Sequence, residues 1–384
     1  MVNEVFPESS KSAINIRREN ERVAQDIKKI SFVKEEGRDF TTVLRERVNL
    51  FFKENGVSPR ANLSMYLKSL FYVLLFAANY ALLLINPLGI LGFFTLYLLF
   101  GLTFAIATMN ITHDALHGAY ASTSPGNRFI GLLMDFFGAS SFYWRKEHTI
   151  DHHTFTNIAE HDADLGVPFV LRLCPKAPRY KFHRFQHLYA PFLYCLNLIK
   201  WMYYSDVKRI INAVNVKKRT SASPSLTEIF FLIGFKFIHM FVFIGVPILV
   251  LPYAWWMVVL AYLSCTAAAS LTLTLIFQLA HIVENVDFPL PNDDGKIENS
   301  FLKHQLATTS NFAINNRLVN FMFGGLNFQV EHHIFPHVCH THLRKISPIV
   351  KATAQEYGLP YNESPSFISA VASHFRTLKN LGRN

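Results

Sequence analysis

Four apolar stretches, each close to the ~20 residues that cross a hydrocarbon core, constrain this chain more than any other feature. They run at about 66–86, 88–109, 228–252 and 254–280. Pro87 and Gly89 separate the first from the second, and Pro252 with its neighbours separates the third from the fourth. The runs therefore read as two membrane hairpins. Half of the chain is apolar and 36 residues are Phe, a composition suited to lipid-facing surface. The predicted fold is all-α: an integral membrane protein with four transmembrane helices and a helical head. Lys236 and His239 interrupt the third run, so either its bilayer portion begins near 237 or Lys236 reaches to the interface.

Loop charge predicts the orientation. The turns near 86–89 and 249–254 contain no Lys or Arg, whereas the N-terminal arm, the 110–227 segment and the 281–384 segment carry essentially all of them. The positive-inside rule puts those three segments in the cytosol. A net charge of +10 then suits an anionic membrane surface, and without a zinc-finger or RNA-binding signature no nucleic-acid partner is expected. Cys174, Cys195, Cys265 and Cys339 form no CxxC pair, which fits a reducing compartment. The polar N-terminus is no signal peptide. Residues 1–60, with apolar positions such as Ile30, Phe32, Val43 and Leu50, read as a cytosolic amphipathic arm, and 61–355 as the membrane domain. Residues 356–384 read as a C-terminal cytosolic tail. The shorter apolar segments 129–144 and 188–204 read as interfacial helices.

Histidines carry the chemistry. His113 and His117 lie four apart in ITHDALHG, just past the second run. Residues four apart share a helix face, so two imidazoles so placed can bind one metal. In WRKEHTIDHHTFTN, His148 and His152 repeat that spacing and His153 projects about a quarter-turn further round, so one helix can feed two metals. In NFQVEHHIFPH, Gln329, His332 and His333 have one-face spacing, and Pro336 ends the helix. His281 directly follows the fourth run. Seven or eight imidazoles exceed a four-ligand zinc site and fit two metals. Ligand type alone leaves Fe, Zn, Cu and Ni open. HExxH is absent, since Asp114 follows His113, and so is the Glu-x-x-His of ferritin-like bundles. Asp114, Glu147, Asp151 and Glu331 stand beside the imidazoles, where carboxylates orient ligand rings.

HDALH, HTIDHH and QVEHH resemble the three histidine boxes of membrane fatty acid desaturases. The resemblance extends to THDALHGAY, EHTIDHHTFTNIAEHDADL and GGLNFQVEHHIFPHVCHTHLRKISPIV, and covers roughly residues 65–355. Gln329, where many desaturases have His, is similar to the front-end subgroup, which places a double bond between an existing one and the carboxyl end. No HPGG haem motif occurs, so the chain looks like stand-alone bacterial members that lack a fused cytochrome b5 domain.

The resemblance implies two non-haem irons, dioxygen as co-substrate, and electrons from a separate ferredoxin or cytochrome b5. The substrate is a fatty acyl chain linked to CoA, phospholipid or acyl carrier protein. His113, His117, His148, His152, His153, His332 and His333 are the implied iron ligands, with His281 as an extra one and Gln329 as a weak or water-mediated one. Asp114, Asp151, Asn157, His161, Asp162, Asp164 and Glu331 are expected to support them, and His337, His340 and His342 to be structural or to support the ligands from behind. Phe142, Tyr143 and Trp144 are candidate walls of a substrate tunnel, and Arg145 and Lys146 could meet a head-group phosphate. The expected setting is a bacterial inner membrane with the site facing the cytoplasm. Three rivals share some of these features: a lipid hydroxylase or ketolase on the same metal core, a membrane haem or metal-binding protein without enzyme activity, and a zinc hydrolase.

Overall fold

A computed structural model describes residues 30–34, 39–166, 169–215 and 223–384. Residues 1–29 and 35–38 of the N-terminal arm lie outside them. Among the described residues, four helices are long and apolar enough to cross a membrane: Leu63–Ile85, Gly89–Leu116, Leu226–Val250 and Trp255–His281. Asn62 caps the first, its side chain accepting from Met65 N–H at 3.1 Å. That span ends at Asn86 in the left-handed region (φ 48°), a conformation Asn tolerates. Leu67, Leu74, Leu82 and Ile85 are exposed, as are Phe230, Phe237 and Leu249 on the third span. Such faces are stable against lipid rather than water.

The second span runs beyond the expected end near 109. A π-helical turn at Thr108–Thr112 inserts one extra residue, and an α-helical turn, His113–Leu116, follows without a break. The hydroxyls of Thr108 and Thr112 donate back to Phe104 O and Thr108 O. The first histidine box thus begins on the last turn of the second span's helix instead of past its end. The third span has a π turn too, at Phe241–Gly245, just before Pro247. Proline has no N–H for the carbonyl four residues back. That carbonyl, Phe243 O, accepts from Tyr97 OH at 3.0 Å, and Val242 O accepts from Tyr80 OH at 2.5 Å.

Lys236 turns inward rather than toward the interface. Its ammonium donates to Gly138 O (2.9 Å), Met202 O (2.8 Å) and Asp206 Oδ2 (3.1 Å), which ties the third span to the head. His239 bonds Tyr262 OH at 2.7 Å within the bundle. The second and fourth spans cross closely: a Cβ on Gly101 would lie 2.1 Å from Cys265 O.

In the head, the helix Phe40–Glu54 buries Phe40, Leu44, Val48 and Phe52 against Leu343, Ile346 and Val350 of the helix His340–Glu356. Two short parallel pairings, Ser31–Phe32 with Lys296–Ile297 and Ser310–Phe312 with Asn362–Ser364, stitch distant segments together. Residues 356–384 end in a helix packed on the body. The helix Phe367–Arg383 docks on the body, with Gly382 so close to His183 O that a Cβ would sit 2.0 Å away.

Gly101→Val should destabilise the protein by roughly 1–3 kcal/mol through overpacking. Gly234→Ala, where a Cβ meets nothing within 4 Å, should be tolerated. Thermal unfolding in detergent, read by loss of the monodisperse chromatographic peak, checks both.

Candidate metal centre

Eight buried or nearly buried imidazoles converge where the second and fourth spans end. His113, His117, His148 and His332 can place one ring nitrogen each within 4.8 Å of one another, and so can His152, His281 and His333. His153 stands between the groups. Its Nε2 is 3.1 Å from His332 Nε2, and its ring stacks on His333 at 4.1 Å between centroids.

The backbone explains this division. The second box rides on a π-helical turn, Arg145–His152, which passes into His153–Phe155. It sends His148 to the first group and His152 to the second. The third box is the six-residue helix Gln329–Ile334. His332 and His333 are consecutive, about 100° apart on a helix, so one joins each group instead of sharing a face.

Hydrogen bonds at the outer ring nitrogens hold the second group. His152 Nδ1–H donates to Asp162 Oδ1 at 2.9 Å, His333 Nδ1–H to Gln305 Oε1 at 3.0 Å, and His281 Nδ1–H to Thr308 O at 3.3 Å. Each bond leaves Nε2 as the lone pair facing inward. Asp162 is itself held by the N–H groups of Asn157 (2.8 Å) and Asp164 (2.9 Å). Asn157 adopts φ 59° and donates from its amide to His281 O (3.0 Å) and Asp287 O (3.1 Å).

Burial, with repulsion from neighbouring rings, holds His117, His148, His153, His332 and His333 well below the usual histidine range, so they are neutral. His152 differs. Burial opposes its charge, but the carboxylates of Asp162 and Asp164 outweigh burial and raise its pKa to about 9.

The donor set fits a pair of metal ions. Both ring nitrogens of His113, Nδ1 of His153, and Nε2 of His117, His148, His152, His281 and His333 are buried without a hydrogen-bond partner. Buried polar atoms left unsatisfied are costly and uncommon. Seven rings sharing this defect around two points, with His332 packed against His153, are what two cations accepting their lone pairs would require.

Other residues expected at the site behave differently. Gln329 is buried at the start of its helix, with Nε2 unpartnered. Asp114 lies 3.8 Å from His113 Nδ1 and chiefly holds His340, accepting from its backbone N–H (3.0 Å) and Nδ1–H (2.9 Å). The Lys68 ammonium donates to His340 Nε2 at 2.9 Å, so Asp114, His340 and Cys339 form a bolt between first span and head. Glu331 faces away from the rings and accepts from Asn311 Nδ2 (2.9 Å) and Tyr361 OH (2.7 Å), bracing the third-box helix. Among the described residues, Asp151 makes no hydrogen bond to a ring, and its charged neighbours are Lys146 and Asp162. His161 packs on Phe155 and makes no bond to a box histidine.

A cavity of about 710 Å³ opens onto the first group, within the ~300–1,000 Å³ usual for small-molecule sites. His113, His148, Trp144 and Phe277 line it near the rings. Leu171, Leu173, Leu193, Leu198 and Leu273 make its sides apolar, and Glu147, Lys200 and Arg209 make its rim polar. Trp144 stacks on His148 at 4.3 Å. Phe142 and Tyr143 do not line this cavity; they pack with Ile210, Ala213, Ile229 and Leu232. Thr156, His304, Gln305 and Thr308, all fully buried, were not singled out in the sequence. The polar run KHQLATTSN (303–311) was the available signal.

The fatty acid desaturase family model matches residues 88–365. The chain belongs to that family. It is 35% identical over 360 residues to an sn-1 linoleoyl-lipid 6-desaturase of Synechocystis sp., covering 92% of this chain and 98% of that one. An acyl-lipid (8-3)-desaturase of Physcomitrium patens is 33% identical over 92% of this chain and 74% of its own. An sn-1 linoleoyl-lipid 6-desaturase of Arthrospira platensis is 32% identical over 93% and 95%. The protein is therefore a membrane-embedded fatty acid desaturase, an oxidoreductase.

Asp162→Ala or Gln305→Leu should weaken metal retention by roughly 10–100-fold, because each frees a ligand ring to turn. Elemental analysis after dialysis against a graded chelator series checks this, with a chromatographic profile to show the fold intact.

Proposed function

We propose that this desaturase is a front-end acyl-lipid desaturase of a bacterial inner membrane, with its metal centre at the cytoplasmic rim. The proposed ligands of one iron are His113, His117, His148 and His332. Those of the other are His152, His281 and His333, with His153 between them and Gln329 in weak or water-mediated contact. The observation that carries the reading is the pair of orphaned imidazole groups beside an apolar cavity. The relatives' names support an acyl-lipid substrate, and Gln329 supports front-end selectivity.

An alkyl C–H bond is beyond any side-chain base, so a di-iron centre using dioxygen supplies the oxidising power. Two hydrogens leave neighbouring carbons, two electrons and two protons enter, and one dioxygen becomes two waters. The electrons come from a separate carrier, a ferredoxin or free cytochrome b5. The chain's own residues place the substrate. Leu171, Leu173, Leu193 and Leu273 exclude water and hold the acyl chain extended, while Trp144 and Phe277 flank its approach to the rings. Asp162, Gln305 and Thr308 hold the second group's imidazoles still, so that reach depends on the substrate's position.

Expression in a host without the activity, followed by mass spectrometry of total fatty acids, tests the reading. The expected product is two hydrogens lighter than its precursor, with the new bond on the carboxyl side of an existing one. His152→Ala and His333→Ala should lose it entirely while staying in the membrane. A product heavier by one oxygen would make the protein a hydroxylase, and purified protein with one zinc and no iron would end the di-iron assignment.

A further inference from the structure

Residues 165–205, between Asp164 and Asp206, contain no Asp or Glu, yet carry six Lys or Arg and ten aromatic residues. In the structure much of this composition faces outward. Phe169, Tyr180, Phe182 and Phe185 are all at least 40% exposed, and Arg179, Lys181 and Arg184 stand exposed among them. The rings form an ordered surface: Tyr180 and Phe182 stack in parallel (5.8 Å, 4°), Phe169 meets both edge-on at 6.3 Å, and Arg184 lies over Phe185 at 4.5 Å.

This surface is held rigid from below. His183 is buried, accepting from Tyr180 N–H at 3.1 Å and donating from Nε2–H to Phe169 O at 2.7 Å. Arg172 donates to Ala177 O (2.7 Å), Pro175 O (2.5 Å) and Leu381 O, while the Gln186 side chain ties Arg172 (2.8 Å) to Leu378 O (2.7 Å). The C-terminal helix is thus the clamp. Ordering so many exposed rings is unfavourable in water and calls for a partner.

The next helix, Gln186–Ile199, shows what the partner is. Leu188, Phe192 and Leu196 form an exposed stripe continuous with Phe185, while Leu193 and Leu198 face the cavity. Leu198 N–H donates to Ser270 Oγ of the fourth span at 2.8 Å. Ser270 lies eleven residues before His281, about 16 Å of helical rise, within a hydrocarbon core about 30 Å thick. The helix therefore descends from the head into the leaflet, with the aromatic and basic surface at its upper end. Aromatic rings interleaved with cations are the chemistry of the membrane interface, and cations there attract anionic lipid.

We propose that residues 179–196 with Phe169 form an interfacial platform that binds the phosphate head groups of anionic lipids and seats the cavity mouth in the leaflet. Arg179, Lys181 and Arg184 meet the phosphates, and Tyr180, Phe182 and Phe185 lie at the glycerol level. Leu196, Asn197 and Lys200, at the cavity edge, face the same lipid. Only the identity of what enters the cavity rests on the desaturase reading; the platform itself does not.

The test uses the full chain in nanodiscs of phosphatidylcholine alone or mixed equally with phosphatidylglycerol. Amide hydrogen exchange across 179–196 should slow at least about fivefold in the anionic discs. K181E/R184E should abolish that difference, and so should the milder K181Q/R184Q if the first variant misfolds. His333→Ala, which disables the proposed metal centre, should leave it intact. Equal exchange in both discs would overturn the proposal. So would protection conferred by inorganic phosphate alone in detergent, or protection that appears only with an acidic electron-carrier protein.

Discussion

Imidazoles packed this closely into a dry interior can coexist only if their inward lone pairs have a common acceptor. That requirement organises the protein. The rings come from the ends of two spans and from two short head helices, and none of these elements alone could keep them so close. Burial and mutual repulsion keep rings such as His153 and His333 unprotonated, and carboxylate, amide and carbonyl acceptors on the outer side point the Nε2 atoms of His152, His333 and His281 inward. The spans give this constraint its frame: the glycine crossing at Gly101 brings the second and fourth together, and Lys236 locks the third to the head.

The four-span, two-hairpin fold was legible because a hydrocarbon core demands long uninterrupted apolar helices, a signal few other environments produce. The histidine spacings were legible for a similar reason, since metal ligation needs several donors in short reach. What the spacings could not convey was local helix winding. π turns at Thr108–Thr112 and Arg145–His152 shift the phase of the residues after them. Such a turn depends on tertiary contacts, here including Gly324, whose Cβ would lie 2.4 Å from Met109 O. No pattern of apolar residues announces it.

The supporting residues were harder still. Asp162 and Asn157 follow their box closely and do brace it. Asp151 and Glu331 are just as near in sequence but point elsewhere, because one residue along a helix rotates a side chain by about 100°. Gln305 lies far from every box in sequence yet bonds His333, through a helix placed by folding alone. Phe142 and Tyr143 show the same limit beside Trp144: adjacent positions face opposite ways, and only one meets the cavity.

The six-residue helix Gln329–Ile334 has a mechanical implication. It supplies neighbouring side chains to both clusters, and Glu331 pins it from behind to Asn311 and Tyr361. The gap between the two clusters is therefore gauged by a single turn of backbone, which acts as a caliper with both jaws on one rigid bar. A strain that tilts the bar displaces both jaws together, so geometric change at one centre is transmitted to its neighbour without any intervening loop.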